Sequence, residues 1–145
     1  MSPERRAPEQ RDELLIYCDG GSRGNPGPSA IGAVVLDPST TPPKQLEAVS
    51  EAIGVTTNNV AEYQALIAAL EAAAPYRASR IEVRADSMLV LRQVEGTWKI
   101  KQPHLAPLAR QARELLADYD EVVYRHVPRE ENTVADALVN AALDA

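Results

Sequence analysis

The chain predicts an α/β fold in which a mixed five-stranded sheet is flanked by helices. Three observations carry this. Three apolar segments with short connections precede residue 57, the apolar spacing changes to a helical period at Asn58, and helical and strand-like segments interleave from there onward.

The elements follow in order. Leu14–Asp19 is apolar and ends on a carboxylate, so a first strand is expected to stop there, and a loop rich in glycine and proline follows, Gly20 to Pro28. Ala30–Asp37 is a second strand, closed by Pro38 and a polar turn through Pro43. Gln45–Gly54 is a weaker third, its apolar residues alternating at Leu46, Ala48 and Ile53; the short connections predict an antiparallel meander. Between Asn58 and Ala74, alanines and leucines recur at helical spacing behind the capping run Thr57-Asn58-Asn59, and Pro75 follows. Arg80–Ala85 is a fourth strand ending at Asp86. Ser87 caps a short helix, Met88–Val94, which Gly96 stops. Thr97–Gln102 is a basic connector containing Trp98, and a helix starting near Pro103 runs to about Ala117. Glu121–Val127 is a fifth strand, Pro128–Asn132 a turn, and Thr133–Asp144 a terminal helix.

At 145 residues the chain is expected to form one domain, residues 13–145. Residues 1–12 are charged, contain proline and lack an apolar core segment, so a disordered tail rather than a secretory signal is expected. No apolar run approaches the ~20 residues of a membrane span, and no membrane partner is expected. The one cysteine, Cys18, excludes an internal disulfide and fits a reducing compartment, so a cytoplasmic location is expected; within an apolar strand its thiol is expected to be inert. Nothing marks a dimer interface, and a monomer is expected. The net charge of −6 speaks against nucleic-acid binding at face value, but Arg23, Arg92, Lys99, Lys101 and Arg129 can form a local positive track, and local potential governs docking.

Four of the 21 acidic residues are not simply surface charges. Asp19 and Asp86 end the first and fourth strands, Glu62 lies in the first turn of the first helix, and Asp136 lies near the start of the last. If those two strands are sheet neighbours, all four converge at one edge. Carboxylates pressed together require cations, and hard oxygen ligands favour Mg²⁺ or Mn²⁺. Two such ions balance four charges and suit phosphodiester hydrolysis. Taken singly, each residue also reads as a turn or helix-dipole charge.

The run Asp19-Gly20-Gly21-Ser22-Arg23-Gly24-Asn25-Pro26-Gly27-Pro28 with Ile31-Gly32-Ala33 resembles the opening hairpin of type 1 ribonuclease H. Thr57-Asn58-Asn59-Val60-Ala61-Glu62 is similar to that family's TNNxxE helix start, Arg84-Ala85-Asp86-Ser87 to its third acidic motif, and Asn132-Thr133-Val134-Ala135-Asp136 to its final NxxAD. The matches fall in the family's order. The resemblance implies a ribonuclease H-like sheet of three antiparallel strands followed by two parallel ones. It implies that Asp19, Glu62, Asp86 and Asp136 bind two Mg²⁺ ions, which Mn²⁺ can replace, and that the enzyme cuts the RNA strand of RNA/DNA hybrids to leave 5′-phosphate and 3′-hydroxyl ends. Double-stranded RNA is a second candidate substrate.

Within that resemblance, the backbone at Gly20, Gly21 and Ser22, the Asn59 side chain and Glu62 are expected to read 2′-hydroxyls. Asn25 and Thr57 are candidate phosphate contacts, with turn and cap duty as the competing roles. Met88 either packs on a sugar or faces the core. Arg129, in the turn before the last helix, resembles the arginine that compact members carry there and is an assisting candidate. His126, inside a strand, is a weaker one. Residues 94–107 lack the long basic insertion of some members, which implies the compact form and salt-sensitive binding. A non-catalytic nucleic-acid-binding module of the same fold is the alternative, and the four intact carboxylates oppose it.

Overall fold

The computed structural model describes residues 9–145. Its elements are β1 (Glu13–Ser22), β2 (Gly27–Asp37), β3 (Lys44–Thr56), α1 (Asn58–Ala73), β4 (Arg80–Ala85), α2 (Met88–Glu95), α3 (Ala106–Leu116), β5 (Glu121–His126) and α4 (Thr133–Asp144). The sheet order is β3-β2-β1-β4-β5. The β1–β2 and β2–β3 pairs are antiparallel, and β1–β4 and β4–β5 are parallel, as the expected mixed sheet requires.

Strand alternation sorts the core into two faces. Leu14, Ile16 and Cys18 of β1 join Ile31, Ala33 and Val35 of β2 in the main core with α1, α2 and α3. Leu15, Tyr17, Val34 and Leu36 point the other way, beside the start of α4. Buried alanines on α1 (Ala61, Ala65, Ala69, Ala73) let that helix lie close to the sheet, while Tyr63, Leu66 and Leu70 fill the space around it. The buried Tyr63 hydroxyl donates to Gln93 Oε1 at 2.7 Å, which joins α1 to α2 without leaving the phenol unpaired.

Two strand limits differ from the expectation. β1 does not end at Asp19. It continues beside β2 through Gly20–Ile31 to Ser22–Ser29, and only its pairing with β4 stops at Cys18–Ala85. β3 passes through Gly54, whose φ of +82° absorbs a register shift against Ser29 and Ala30. A glycine that looks like a terminator serves here as a bulge. Between α2 and α3 the chain forms only a single helical turn at Pro103–Leu105, in keeping with the missing basic insertion.

Residues 1–8 of the expected tail lie outside the described residues. The last part of that tail is bound to the domain. The Arg11 amide donates to the Tyr76 carbonyl at 3.1 Å, its guanidinium pairs with Asp37 at 2.9 Å, and the Asp12 carbonyl accepts from the Ser79 and Arg80 amides. Among the described residues, no helix is long and apolar enough to cross a membrane.

Candidate active site

The β1–β4 ladder ends at Cys18–Ala85, so the next residues, Asp19 and Asp86, leave the sheet side by side. Glu62 arrives from α1. Contrary to the expectation it is the fifth residue of that helix, beyond the first turn. Thr57 caps the helix through the Val60 amide at 3.3 Å. A Cβ on Gly20 would stand 2.2 Å from the Ala61 carbonyl, so the bare backbone of β1 is what admits this turn of α1. The Gly20 amide then reaches Glu62 Oε1 at 3.4 Å. Asp19, Glu62 and Asp86 each place a carboxylate oxygen within 4.8 Å of the other two. They open into a cleft of about 430 Å³ shared with Arg129 and Asp136.

Asp136, in the first turn of α4, stands apart from that group of three. Its Oδ1 is 3.5 Å from the Arg129 guanidinium, and its Oδ2 accepts from the Asn140 amide at 3.4 Å. Its charge nevertheless acts on Asp19.

Burial, followed by the negative charges of Asp86 and Asp136, pushes the Asp19 carboxyl from its ordinary 3.8 up to about 7. Burial and the charges of Asp19 and Asp86 also raise Glu62 well above the ordinary carboxylate range, and burial raises the Cys18 thiol, which fits an inert role. A trio of hard oxygen donors that repel one another at neutral pH fits a divalent cation.

This has a consequence for stability. Below the unfolded value of 3.8 Asp19 is protonated in both states, whereas between 3.8 and 7 only the folded state holds the proton. Stability of the metal-free protein therefore falls as pH rises through that window. Between pH 5 and pH 8 the loss is on the order of 3 kcal/mol. Melting in EDTA is expected at a higher temperature at pH 5 than at pH 8, and Asp19→Asn is expected to flatten the difference and melt higher than the parent at pH 8. A pH-independent melt in the parent would contradict the raised Asp19 carboxyl, which burial and the neighbouring charges produce.

The other candidates divide. Gly20, Gly21, Ser22 and Arg129 line the cleft; Asn25, Thr57, Asn59 and Met88 do not. Asn25 Oδ1 accepts from the Asn58 amide at 3.0 Å, so Asn25 and Thr57 both serve the helix start. The Ser22 amide donates to Asn58 Oδ1 at 3.0 Å, so the amides of Gly20 and Ser22 already have partners within the protein. Met88 is half-buried at the start of α2. His126 Nε2 lies 3.2 Å from the Asp86 carbonyl oxygen, at the exposed end of β5. In the expected positive track, Arg23 pairs with Asp144, Arg92 with Glu95 and Arg129 with Asp136. Sequence reasoning missed three asparagines as site residues. Asn58 and Asn140 line the cleft, and Asn132 bonds to Asp86 beneath it. The i, i+4 spacing of Asp136 and Asn140 is the signal that could have found one of them.

The chain is similar in sequence and fold to known proteins. The family described as "Reverse transcriptase-like" matches residues 17–142. A bifunctional protein of Mycobacterium tuberculosis is 47% identical over 135 residues, covering 92% of this chain and 36% of that protein, so the chain spans about a third of that relative's length. The crystal structure of RNase H1 from the archaeon Halobacterium salinarum has a TM-score of 0.85 at 47% identity, over 91% of this chain and 98% of that one. LC11-RNase H1, solved in complex with an RNA/DNA hybrid, has a TM-score of 0.82 at 42% identity, over 90% of this chain and 96% of that one.

Proposed function

We propose that this chain, which belongs to the type 1 ribonuclease H family, hydrolyses the RNA strand of RNA/DNA hybrids. The observation that carries the reading is the convergence of Asp19, Glu62 and Asp86 within 4.8 Å, at the base of an open cleft. The LC11 protein with its bound hybrid supports the substrate class.

Asp19, Glu62 and Asp86, with Asp136 at the rim, hold two divalent ions, Mg²⁺ or Mn²⁺. When bound, these cations neutralise the carboxylates, activate water and stabilise the leaving oxygen, so that the ends are 5′-phosphate and 3′-hydroxyl. The chain's own groups orient the substrate. Glu62 and the Gly20–Ser22 backbone read the 2′-hydroxyl, which donates as well as accepts, and Asn59, outside the cleft lining, is assigned to the same group. With the Gly20 and Ser22 amides already engaged, acceptors on the protein carry more of that task than donors do. Asn25, Thr57 and Met88 approach the backbone from outside the cleft. Arg129, exposed at the rim beside Asp136, contacts phosphate and assists turnover. The protein acts as a monomer in the cytoplasm. Double-stranded RNA, which shares the 2′-hydroxyl on the cut strand, is a weaker substrate.

A panel of labelled duplexes tests this. With Mg²⁺, hybrid is expected to be cut at least tenfold faster than double-stranded RNA, with duplex DNA intact, and added salt is expected to slow cutting steeply. Binding of hybrid without cutting under Mg²⁺ or Mn²⁺ would favour the non-catalytic module instead.

A further inference from the structure

Asn132 carries an unusual set of bonds for a residue at a helix start. Asparagine at that position ordinarily turns its side-chain oxygen onto the first amides of the helix. Here it makes no such cap. It is 1% exposed, and its side chain runs inward to the sheet. Nδ2 donates to the Cys18 carbonyl at 2.9 Å and reaches Asp86 Oδ1 at 3.5 Å. Its own carbonyl accepts the Asp136 amide at 3.0 Å. One residue thus touches the peptide that leads into Asp19, the carboxylate of Asp86 and the backbone of Asp136.

The place of these contacts matters. The β1–β4 ladder stops at Cys18–Ala85, and the Asn132 carboxamide takes the Cys18 carbonyl at that point. Turning the amide over would set its oxygen against the Cys18 carbonyl and the Asp86 carboxylate, so electrostatics allows one orientation only. In that orientation Oδ1 is buried with no partner among the described residues. The residue gives up a helix cap and leaves an acceptor unpaired, both unfavourable to stability. Such local costs mark functional positions.

We propose that Asn132 is a positioning residue of the carboxylate centre, fixing Asp86 and the Asp19 peptide so that their oxygens meet a divalent cation at the right spacing. The inference rests on the metal-dependent hydrolase reading. Groups that orient ligands from behind commonly change metal affinity or activity by about 10–100-fold when removed.

Asn132→Ser separates this from a structural role, because serine is as good a cap as asparagine yet too short to bridge Cys18 and Asp86. Binding of Mn²⁺ alone is measured by titration calorimetry on the full chain, with melting in EDTA recorded in parallel and Asn132→Asp as a near-isosteric second variant. The dissociation constant for Mn²⁺ is expected to rise about 10–100-fold in Asn132→Ser. The metal-free melt should fall only modestly, because the regained helix cap offsets part of the lost bond to the Cys18 carbonyl. The KM for hybrid should hold within about twofold while kcat at limiting Mn²⁺ falls in step with affinity. Asn132→Asp should likewise fall away from the parent, because a carboxylate facing the Cys18 carbonyl and Asp86 repels both. If both variants bind Mn²⁺ within about twofold of the parent, or if the parent binds none, the proposal is overturned. A parent that binds Mn²⁺ but leaves hybrid uncut would refute the proposed function alone, while the calorimetry would still decide the role of Asn132.

Discussion

Replacing Asp86 by asparagine is expected to lower kcat on RNA/DNA hybrid by about 10³-fold or more, equivalent to about 4 kcal/mol of transition-state stabilisation. The substitution keeps the size of the side chain and removes its charge. Asp86 follows the last residue of β4 and contributes one of the three oxygens within 4.8 Å. Losing it reduces the charge that holds the cations. Its charge is also a leading cause, after burial, of the raised Asp19 carboxyl. Loss of cutting with an unchanged or higher melting temperature in EDTA is therefore the expected pairing. Loss of cutting together with a large drop in stability would point to a structural role.

Gly20→Ala is expected to destabilise the fold by about 3–5 kcal/mol and to lose activity as well. The added Cβ would sit 2.2 Å from both the carbon and the oxygen of the Ala61 carbonyl and 2.6 Å from the Glu62 amide. All three are backbone atoms, so β1 and α1 would have to separate, and Glu62 would move with its helix. At Gly21 the nearest atom to an added Cβ is Val139 Cγ1 at 3.5 Å, an ordinary contact. Gly21→Ala should therefore change stability by no more than about 0.5 kcal/mol. Urea unfolding in EDTA measures both. Equal losses at the two positions would contradict the account of how α1 reaches the site.

That pair of glycines shows what was legible in the chain and what was not. The element order and the mixed sheet follow from apolar periodicity, a local pattern. The meeting of Asp19, Glu62 and Asp86 depends on β1 and β4 being neighbours, which only the resemblance of the ordered motifs to ribonuclease H implied. The role of Gly20 was not legible, because a glycine that admits another backbone looks in sequence like one that admits a ligand. Gly54 misleads for a related reason, since a bulge and a strand end call for the same residue. The limit of β1 was misplaced because its two neighbours end at different points: β4 stops at Ala85, while β2 continues to Ser29. Asn132 lay in plain view in a motif, but its bonds cross more than a hundred residues to Cys18, and no local pattern reports such a contact.

The reaction proposed for this cleft is metal-dependent attack of water on the RNA strand of a hybrid. Hybrid labelled separately on each strand, incubated with the protein and Mg²⁺ and analysed for product ends, decides whether it occurs. RNA fragments with 5′-phosphate and 3′-hydroxyl ends, an intact DNA strand, and no cutting in EDTA are expected. Nicked DNA, RNA cutting that persists in EDTA, or 2′,3′-cyclic phosphate ends would contradict the proposed reaction.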